Sequence, residues 1–248
     1  MKQAIITSRA LRFVLLIGIM SFFADFTYEG SRSIVGPYLA LLGASAVAVA
    51  TITGFGELLG YGLRVVSGNL SDSTRQFWPI TIVGYIVQMA AVPLLALAGS
   101  WQVAAILIIL ERVGKATRNP PRDVMLSHAG KEMGGYGWAF GLHEALDQFG
   151  ALCGPLLIAA ILALRGNYQL AFAVLAIPAL IMLSLLAVAR LTYPHPEEME
   201  SHPPNVQTKG LPRVFWLYLI GAMLAGAGFA DFPFIAYHFE RLSIVPGA

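Results

Sequence analysis

Long apolar runs alternate with short polar segments along most of the chain. The runs are about 20 residues long, the length at which a helix rising about 1.5 Å per residue crosses a hydrocarbon layer of roughly 30 Å. The pattern therefore predicts an all-α integral membrane protein with seven spanning helices. These predicted spans cover about residues 12–32, 45–67, 77–98, 101–124, 138–163, 168–190 and 213–239.

One connection between the predicted spans is much longer than the others. The segment 192–211 contains four prolines and three glutamates, a composition typical of an extended, solvated linker. We therefore predict a division of the chain into three parts. They are an amino-terminal six-helix bundle over 1–191, a cytoplasmic linker over 192–211, and the first helix of a second, incomplete bundle over 212–248.

Two short segments of the first span recur in the seventh. Residues 16–20 read Leu-Ile-Gly-Ile-Met and 219–223 read Leu-Ile-Gly-Ala-Met, while 23–26 and 229–232 both read Phe-Ala-Asp-Phe. The same order on helices of the same direction suggests that span seven restarts the pattern of span one, as in proteins built from parallel six-helix repeats. We expect the complete protein to need either a missing carboxy-terminal half or a second copy of the chain.

The composition agrees with a chain that lies in a lipid bilayer. Hydrophobic residues make up 57% and charged residues 12%, with a mean hydropathy of +0.69, whereas a soluble domain has about half and a quarter. The net charge of +2 comes from lysines and arginines gathered between the runs, so it indicates membrane orientation and no nucleic-acid partner. The single cysteine, Cys153, excludes an internal disulfide.

The basic residues between spans predict the orientation. Positively charged connections stay on the cytoplasmic side, and a cytoplasmic amino terminus puts most of them there. On that side lie Lys2, Arg9, Arg12, Arg75, Arg118, Arg122, Lys131, Arg190, Lys209 and Arg213, against Arg32, Arg165 and Arg241 outside. We therefore expect a multi-pass protein of the bacterial inner membrane with its amino terminus in the cytoplasm.

Span one carries charged side chains at membrane depth, where they are costly unless they pair or face a cavity. Asp25, Glu29 and Arg32 are spaced i, i+4 and i+7, which places them on one helical face. Asp25 and Glu29 are therefore candidates for binding substrate or protons. The alternative for Glu29 and Arg32 is a position at the outer mouth of the helix.

Two other spans carry polar faces. In span four, Glu111, Lys115, Arg118 and Arg122 form a stripe that should line an aqueous path, with the candidate Arg112 beside it. We interpret Arg118 and Arg122 as anchors near the cytoplasmic end of the span. In span two, Glu57, Tyr61 and Arg64 share a face, and the spacing favours an internal ion pair between Glu57 and Arg64.

Span five combines acids with small residues. Glu144 and Asp147 are further candidates for binding protons, and His143 beside them is interpreted as a polar residue on the cytoplasmic side. The spacing of Gly150 and Gly154 allows another helix backbone to approach closely, and Pro155 removes a helical hydrogen bond. The lost hydrogen bond at Pro155 predicts a bend in the fifth span.

After span two the chain reads Gly-Asn-Leu-Ser-Asp over residues 68–72, which we place in a cytoplasmic turn. Here the sequence resembles the major facilitator superfamily, whose signature between its second and third helices begins Gly-x-Leu-x-Asp. In that family the turn packs the two halves of the carrier together. The resemblance gives Gly68 and Asp72 a role in conformational change. The chain departs from the family pattern after Asp72, where Ser-Thr-Arg-Gln replaces the expected basic residues and second glycine.

Two further features are similar to the same family. Arg112 stands where the family often carries a deep arginine linked to proton transfer, and the stretch from Gly150 through Gly154 to Pro155 resembles the Gly-Pro motif of its antiporters. The resemblance implies alternating access of two six-helix bundles around a central site. Asp25, Arg112 and Asp231 lie on the first, fourth and seventh helices, which line that site in the family.

The sequence thus favours a secondary active transporter of a small solute, coupled to protons, with no cofactor and no metal. An enzyme is not expected, since neither a Gly-x-Ser-x-Gly elbow nor a His-Glu-x-x-His pair is present. A retinal protein would need a lysine in span seven, which 215–239 lacks. The remaining alternative is a truncated or half-size membrane protein that acts through oligomerisation or as a receptor.

Overall fold

A computed structural model describes residues 2–133, 135–199, 212–228 and 232–242. Within these ranges the chain forms helices joined by short turns and contains no strand. The predicted all-α class is confirmed. The α-helices are α1 Lys2–Leu41, α2 Ala46–Thr74, α3 Phe77–Leu94, α4 Trp101–Gly130, α5 Tyr136–Arg165, α6 Tyr168–Val174, α7 Ala176–Thr192, α8 Arg213–Ala227 and α9 Phe232–Leu242.

Local sequence signals explain where several helices begin and end. The Ser45 side chain accepts a hydrogen bond from the Ala48 backbone N–H at the start of α2, as expected of an N-cap serine. Arg75 ends α2 in the left-handed conformation, with φ of 54°. Gly166 ends α5 in the same region with φ of 59°, where glycine has no steric cost.

Among the residues that the structure describes, five helical segments are long and apolar enough to cross a membrane: 9–41, 46–74, 77–97, 136–165 and 168–192. The last of these joins α6 and α7, which are separated at Leu175. Pro178 follows four residues after Val174 and cannot donate a helical hydrogen bond to its carbonyl group, which accounts for the break. The 30-residue α4 is equally long, but its stripe of charges lowers its hydropathy.

Glycines set the closest helix contacts. A Cβ atom at Gly150 or Gly154 would overlap the carbonyl oxygen of Phe22 or Phe26 on α1, so the α1 and α5 backbones touch at these positions. The predicted close approach at these two glycines is therefore observed. On α3, a Cβ atom at Gly84 would lie 2.7 Å from the Arg118 backbone nitrogen of α4. Close backbone contact of this kind is how membrane helices associate.

Two apolar clusters form the core and lie at different heights along α1. One is built around Phe13 and Met20 and the other around Tyr38 and Leu39. Helix α4 contributes Met125 to the first cluster and Ile108 to the second in the same way. The charged positions of α1 and α4 fall between these clusters in sequence, and therefore form a polar layer between two apolar ones.

One predicted boundary, that at the end of the second span, is wrong. The motif at 68–72 lies in the last two turns of α2 and not in a turn between helices, because α2 runs on to Thr74. The predicted linker begins with packed structure, since Met199 is 2% exposed and the Trp78 Nε1–H donates to the Tyr193 carbonyl over 2.9 Å. The predicted seventh span is described as two helices, α8 and α9, with 229–231 outside the described residues.

Helix α9 packs against the carboxy-terminal end of α1. At Gly36 the Pro233 carbonyl group comes so close that a Cβ atom would overlap it. The Tyr237 hydroxyl donates a hydrogen bond to the Ala44 carbonyl over 3.2 Å. These contacts attach the last described helix to the bundle beside the polar layer.

Candidate functional site

The polar layer contains a cavity of about 640 Å³ between α1, α2 and α4, reached also by Gly226 of α8. Small residues of α2, among them Gly54 and Gly60, leave room for it because nothing lies within 4 Å of a Cβ atom built at either. The charged side chains that line the cavity are the basic Arg32, Arg64, Arg112 and Lys115 and the acidic Glu29 and Glu57.

Arg112 connects three helices at the floor of the cavity. It is 6% exposed, and its Nη1 donates hydrogen bonds to the Tyr28 hydroxyl of α1 and to Glu57 Oε1 of α2. Its Nε lies 3.5 Å from Glu111 Oε2 on its own helix. Burial of a guanidinium group in a membrane protein requires such compensation, and here it comes from two carboxylates and a phenol.

The two other charged residues of α1 divide between different partners. Glu29 lies 3.6 Å from Arg32 and stays at the cavity wall. Asp25 is 6% exposed and lies deeper, with Oδ1 at 3.5 Å from Arg118 Nη2 and 3.8 Å from Lys115 Nζ. The carboxyl group of Asp147 on α5 interacts with that of Asp25. The Asp25 cluster, by which we mean Asp25, Lys115, Arg118 and Asp147, therefore joins α1, α4 and α5.

The Asp25 cluster touches the cavity through Lys115. The Lys115 ammonium nitrogen lies 3.4 Å from the centroid of the Tyr28 ring, and Lys115 and Tyr28 both line the cavity. A cation over an aromatic face is attracted to the ring quadrupole. One side chain thus contacts both the buried carboxylate and the wall of the cavity.

Gln88 of α3 connects the Asp25 cluster with the Arg112 site. Arg118 Nε donates to Gln88 Oε1 over 2.5 Å, and Gln88 Nε2 donates to Glu111 Oε1 over 3.5 Å. Arg118 Nη1 also donates to the Tyr85 hydroxyl over 3.1 Å. Since the amide uses its oxygen on one side and its nitrogen on the other, both ends of Gln88 are engaged.

A second buried polar group lies closer to the amino-terminal end of α1. His143 Nε2 is 2.7 Å from the Ser21 hydroxyl, and Arg122 Nη1 donates to the same hydroxyl over 3.3 Å. Arg122 Nη2 pairs with Asp123 at 2.8 Å. His143 is 3% exposed, so it belongs to the interior and not to the surface of the bundle.

Two interpretations of the span-four stripe and span-two face are corrected here. Arg118 and Arg122 are not anchors at the end of the helix, because both are buried inside the bundle and α4 continues past them to Gly130. Glu57 pairs with Arg112 and not with Arg64, whose guanidinium carbon lies 4.9 Å from the centroid of the Tyr61 ring.

The other predicted site residues divide into three groups. Asp25, Glu29, Arg112 and Asp147 lie in or beside the polar layer, as described above. Glu144 is exposed on α5, where Gln148 donates to it over 2.7 Å, and is not part of this group. Asp231 lies outside the described residues. Sequence reasoning missed Gln88, although an amide inside the otherwise apolar α3 was a signal for it.

The residues of α2 and α5 that are predicted to act in conformational change lie in different environments. Gly68 faces Pro120 of α4. A Cβ atom built at Gly68 would lie 3.5 Å from the Cβ atom of Pro120. Asp72 is exposed two residues before the end of α2. Pro155 lies inside α5, immediately after the close contact at Gly154. A role of these residues in conformational change stays a prediction.

Comparison with known proteins decides the family. The family model described as Major Facilitator Superfamily matches residues 14–243. The chain belongs to the major facilitator superfamily. It is 43% identical over 246 residues to an uncharacterized protein of Mycobacterium tuberculosis, covering 96% of this chain and 60% of that protein. It is 29% identical over 235 residues to an uncharacterized MFS-type transporter of Methanocaldococcus jannaschii, covering 94% of this chain and 58% of that protein.

Solved structures of a peptide transporter share the fold. A crystal structure of the peptide transporter POT in complex with sulfate matches with a TM-score of 0.64 and 19% identity, covering 87% of this chain and 44% of that chain. A mutant of that transporter in complex with alafosfalin matches with a TM-score of 0.64 over 90% of this chain and 47% of that one. The chain is therefore a multi-pass membrane protein with an MFS-like helical fold, and it spans about 60% of the length of the curated relatives it matches.

Proposed function

We propose that this chain is the amino-terminal part of a secondary carrier that moves a small solute across the membrane by alternating access. Membership of the superfamily supports a carrier rather than an enzyme, and a cavity lined by charged residues of α1, α2 and α4 supports a solute-binding site. In this proposal 1–191 form the first bundle, 192–211 the linker, and 212–248 the first helix of a second bundle. The complete carrier needs the second bundle or a second copy of the chain.

We further propose that transport is coupled to protons through Asp25. The observation that carries this proposal is the Asp25 carboxylate, 6% exposed, held between Lys115 and Arg118 and beside Asp147. A carboxylate that keeps its cationic partners stays ionised, and one that loses them in a buried site takes up a proton. Because its partners lie on α4 and α5, a movement of α1 against those helices would couple protonation to conformation.

The test replaces Asp25 by asparagine in the complete carrier, reconstituted in vesicles. Currents on a solid-supported membrane first identify a transported solute from a panel. For Asp25→Asn we expect uphill uptake driven by a pH gradient to fall at least tenfold, while downhill exchange of the same solute stays measurable. Glu198→Gln removes an exposed carboxylate outside the bundle and should leave both activities unchanged. Equal loss of uptake and exchange, or no loss of either, would reject Asp25 as the coupling residue and leave Asp147, Glu29 and Glu144 as the next acids to test.

The orientation proposed for the carrier has its own test. The distribution of basic residues supports an inner-membrane protein with a cytoplasmic amino terminus. Fusions at Gly130 and Asn205 should place their reporter in the cytoplasm, and fusions at Gly99 and Gly166 should place it outside. A reversed result at either pair of positions would contradict this topology.

A further inference from the structure

Arg64 differs from the other basic residues that line the cavity. Arg32 lies 3.6 Å from Glu29, Arg112 pairs with Glu57, and the Lys115 nitrogen lies 3.8 Å from Asp25. In the described part of the chain, no carboxylate lies within ion-pair distance of Arg64, whose contact is the face of the Tyr61 ring at 4.9 Å. Its Nε is buried without a hydrogen-bond partner, as is that of Arg112, but the Arg112 Nε has a carboxylate of Glu111 at 3.5 Å.

The charge of the cavity wall is therefore unbalanced in one direction. Four basic and two acidic side chains line it, and the two acidic ones already face Arg32 and Arg112. Two further carboxylates lie behind the wall and also have cationic partners: Glu111 lies 3.5 Å from Arg112, and Asp25 is shared between Lys115 and Arg118. A cavity with excess positive charge and low-dielectric walls attracts anions, and the uncompensated part of that charge is located at Arg64.

The arrangement of Arg64 suits one kind of ligand group. A guanidinium group offers a planar fork of N–H donors that matches a carboxylate, phosphate or sulfonate. The Tyr61 ring, whose centroid lies 4.9 Å from the guanidinium carbon, lies beside the fork. Beside it, Gly54 and Gly60 leave an open surface along α2, and the volume of about 640 Å³ suits a small organic molecule.

We propose, on the basis of the carrier function above, that this cavity binds an organic anion whose acidic group is held by Arg64. The apolar body of the anion lies beside Tyr61 and along the glycine surface of α2. Arg64 beside its aromatic ring is the binding residue, and Lys115 of α4 contributes positive charge to the same cavity.

Binding to the purified complete protein in detergent tests this site without any transport. The probes share one aromatic ring and differ in charge: benzoate, phenyl phosphate and benzenesulfonate as anions, benzyl alcohol as the neutral compound and phenyltrimethylammonium as the cation. Calorimetric titration should show at least one anion binding tenfold or more tightly than the neutral and cationic probes. Arg64→Gln should remove that preference, and Arg64→Lys should keep part of it. Arg165→Gln, at an exposed arginine outside the cavity, is the matched control and should bind as the parent does.

The outcomes separate this site from the proposed carrier function. The anion site would be overturned if all three anions bound no more tightly than the neutral and cationic probes. It would also be overturned if the anion preference survived Arg64→Gln in a folded protein. A melting temperature of Arg64→Gln equal to that of Arg165→Gln shows that the variant is folded. If the two melting temperatures differ, Arg64→Lys is used as the test variant in place of Arg64→Gln. Anion binding that depends on Arg64 in a protein that moves no solute across vesicles would support the site while contradicting the carrier function.

Discussion

The seam between α1 and α5 and the cavity wall on α2 are built in opposite ways. At the seam, Gly150 and Gly154 leave no room even for a methyl group, because carbonyl oxygens of α1 occupy that space. On the wall, Gly54 and Gly60 have nothing within 4 Å of a Cβ atom. The same residue type therefore closes one part of the bundle and opens another. Glycine spacing alone does not distinguish packing from cavity formation.

The charged residues follow the same division. Arg118, on the packed side, is fully buried and meets Asp25, Gln88 and Tyr85. Arg64, on the open side, contacts one aromatic ring. A buried charge with all its partners stabilises the bundle, whereas a charge without an acidic partner on a cavity wall is available to a ligand. Whether a charged side chain has acidic partners, rather than how deeply it is buried, therefore separates structural from binding arginines.

The largest expected effect is at the seam. Gly154→Ala places a methyl group onto the Phe26 carbonyl oxygen, so α1 and α5 must separate and the Asp25 cluster that joins them is disrupted. We expect a loss of about 3 kcal/mol or more, the upper part of the range for overpacking, measured as thermal unfolding of the purified protein in detergent. Gly60→Ala on the wall is the matched control and should be neutral or stabilising, because alanine favours a helix. Equal melting temperatures for the two variants would contradict the comparison.

An intermediate effect is expected from removing a compensated charge. Arg118→Gln leaves Asp25 with Lys115 alone and leaves the Gln88 oxygen without its donor. Breaking a buried ion pair from one side costs about 3 kcal/mol, which we expect to be reduced here by the remaining lysine. Arg64→Gln, which breaks no ion pair, should change the melting temperature by far less. A destabilisation by Arg64→Gln as large as that by Arg118→Gln would show that compensation does not separate the two sides.

The smallest effect on stability is expected at Asp72. Asp72→Asn keeps the shape of an exposed side chain near the end of α2 and should change the free energy of unfolding by less than about 0.5 kcal/mol. If the aspartate acts in the conformational cycle, the variant should nevertheless slow solute exchange in vesicles severalfold at unchanged insertion into the membrane. Ser73→Ala, one position further on, is the control. Unchanged exchange by Asp72→Asn would remove the proposed role of this motif.

The helices were predictable from sequence because membrane thickness fixes the length of an apolar run. The burial of Asp25 and Arg112 was predictable for the same reason, since a charge deep in such a run must find compensation. The partners were not predictable. Spacing along α4 places Arg118 on one face, but which helix meets that face, and at what height, depends on contacts such as that between Gly84 and the α4 backbone.

The error for Arg118 and Arg122 has a physical origin. Polar residues at 118–122 suggest that α4 reaches water there, which predicts a span that ends near residue 124. Instead α4 continues to Gly130, and both arginines are buried inside the bundle. In a bundle with an interior polar layer, polarity marks proximity to that layer as readily as proximity to the membrane surface. Single-helix hydropathy therefore places the end of such a helix too early.

The amide of Gln88 has a direction, and that direction has a consequence for communication inside the bundle. Its oxygen faces a cation, Arg118, and its nitrogen faces an anion, Glu111. Reversing the amide would bring like partial charges together on both sides at once. A movement of Arg118 relative to Gln88 would turn the amide or break the bond between them, and either event would change the donor offered to Glu111. One neutral side chain therefore links the partner of the α1 carboxylate with a partner of Arg112, without any net charge moving between them.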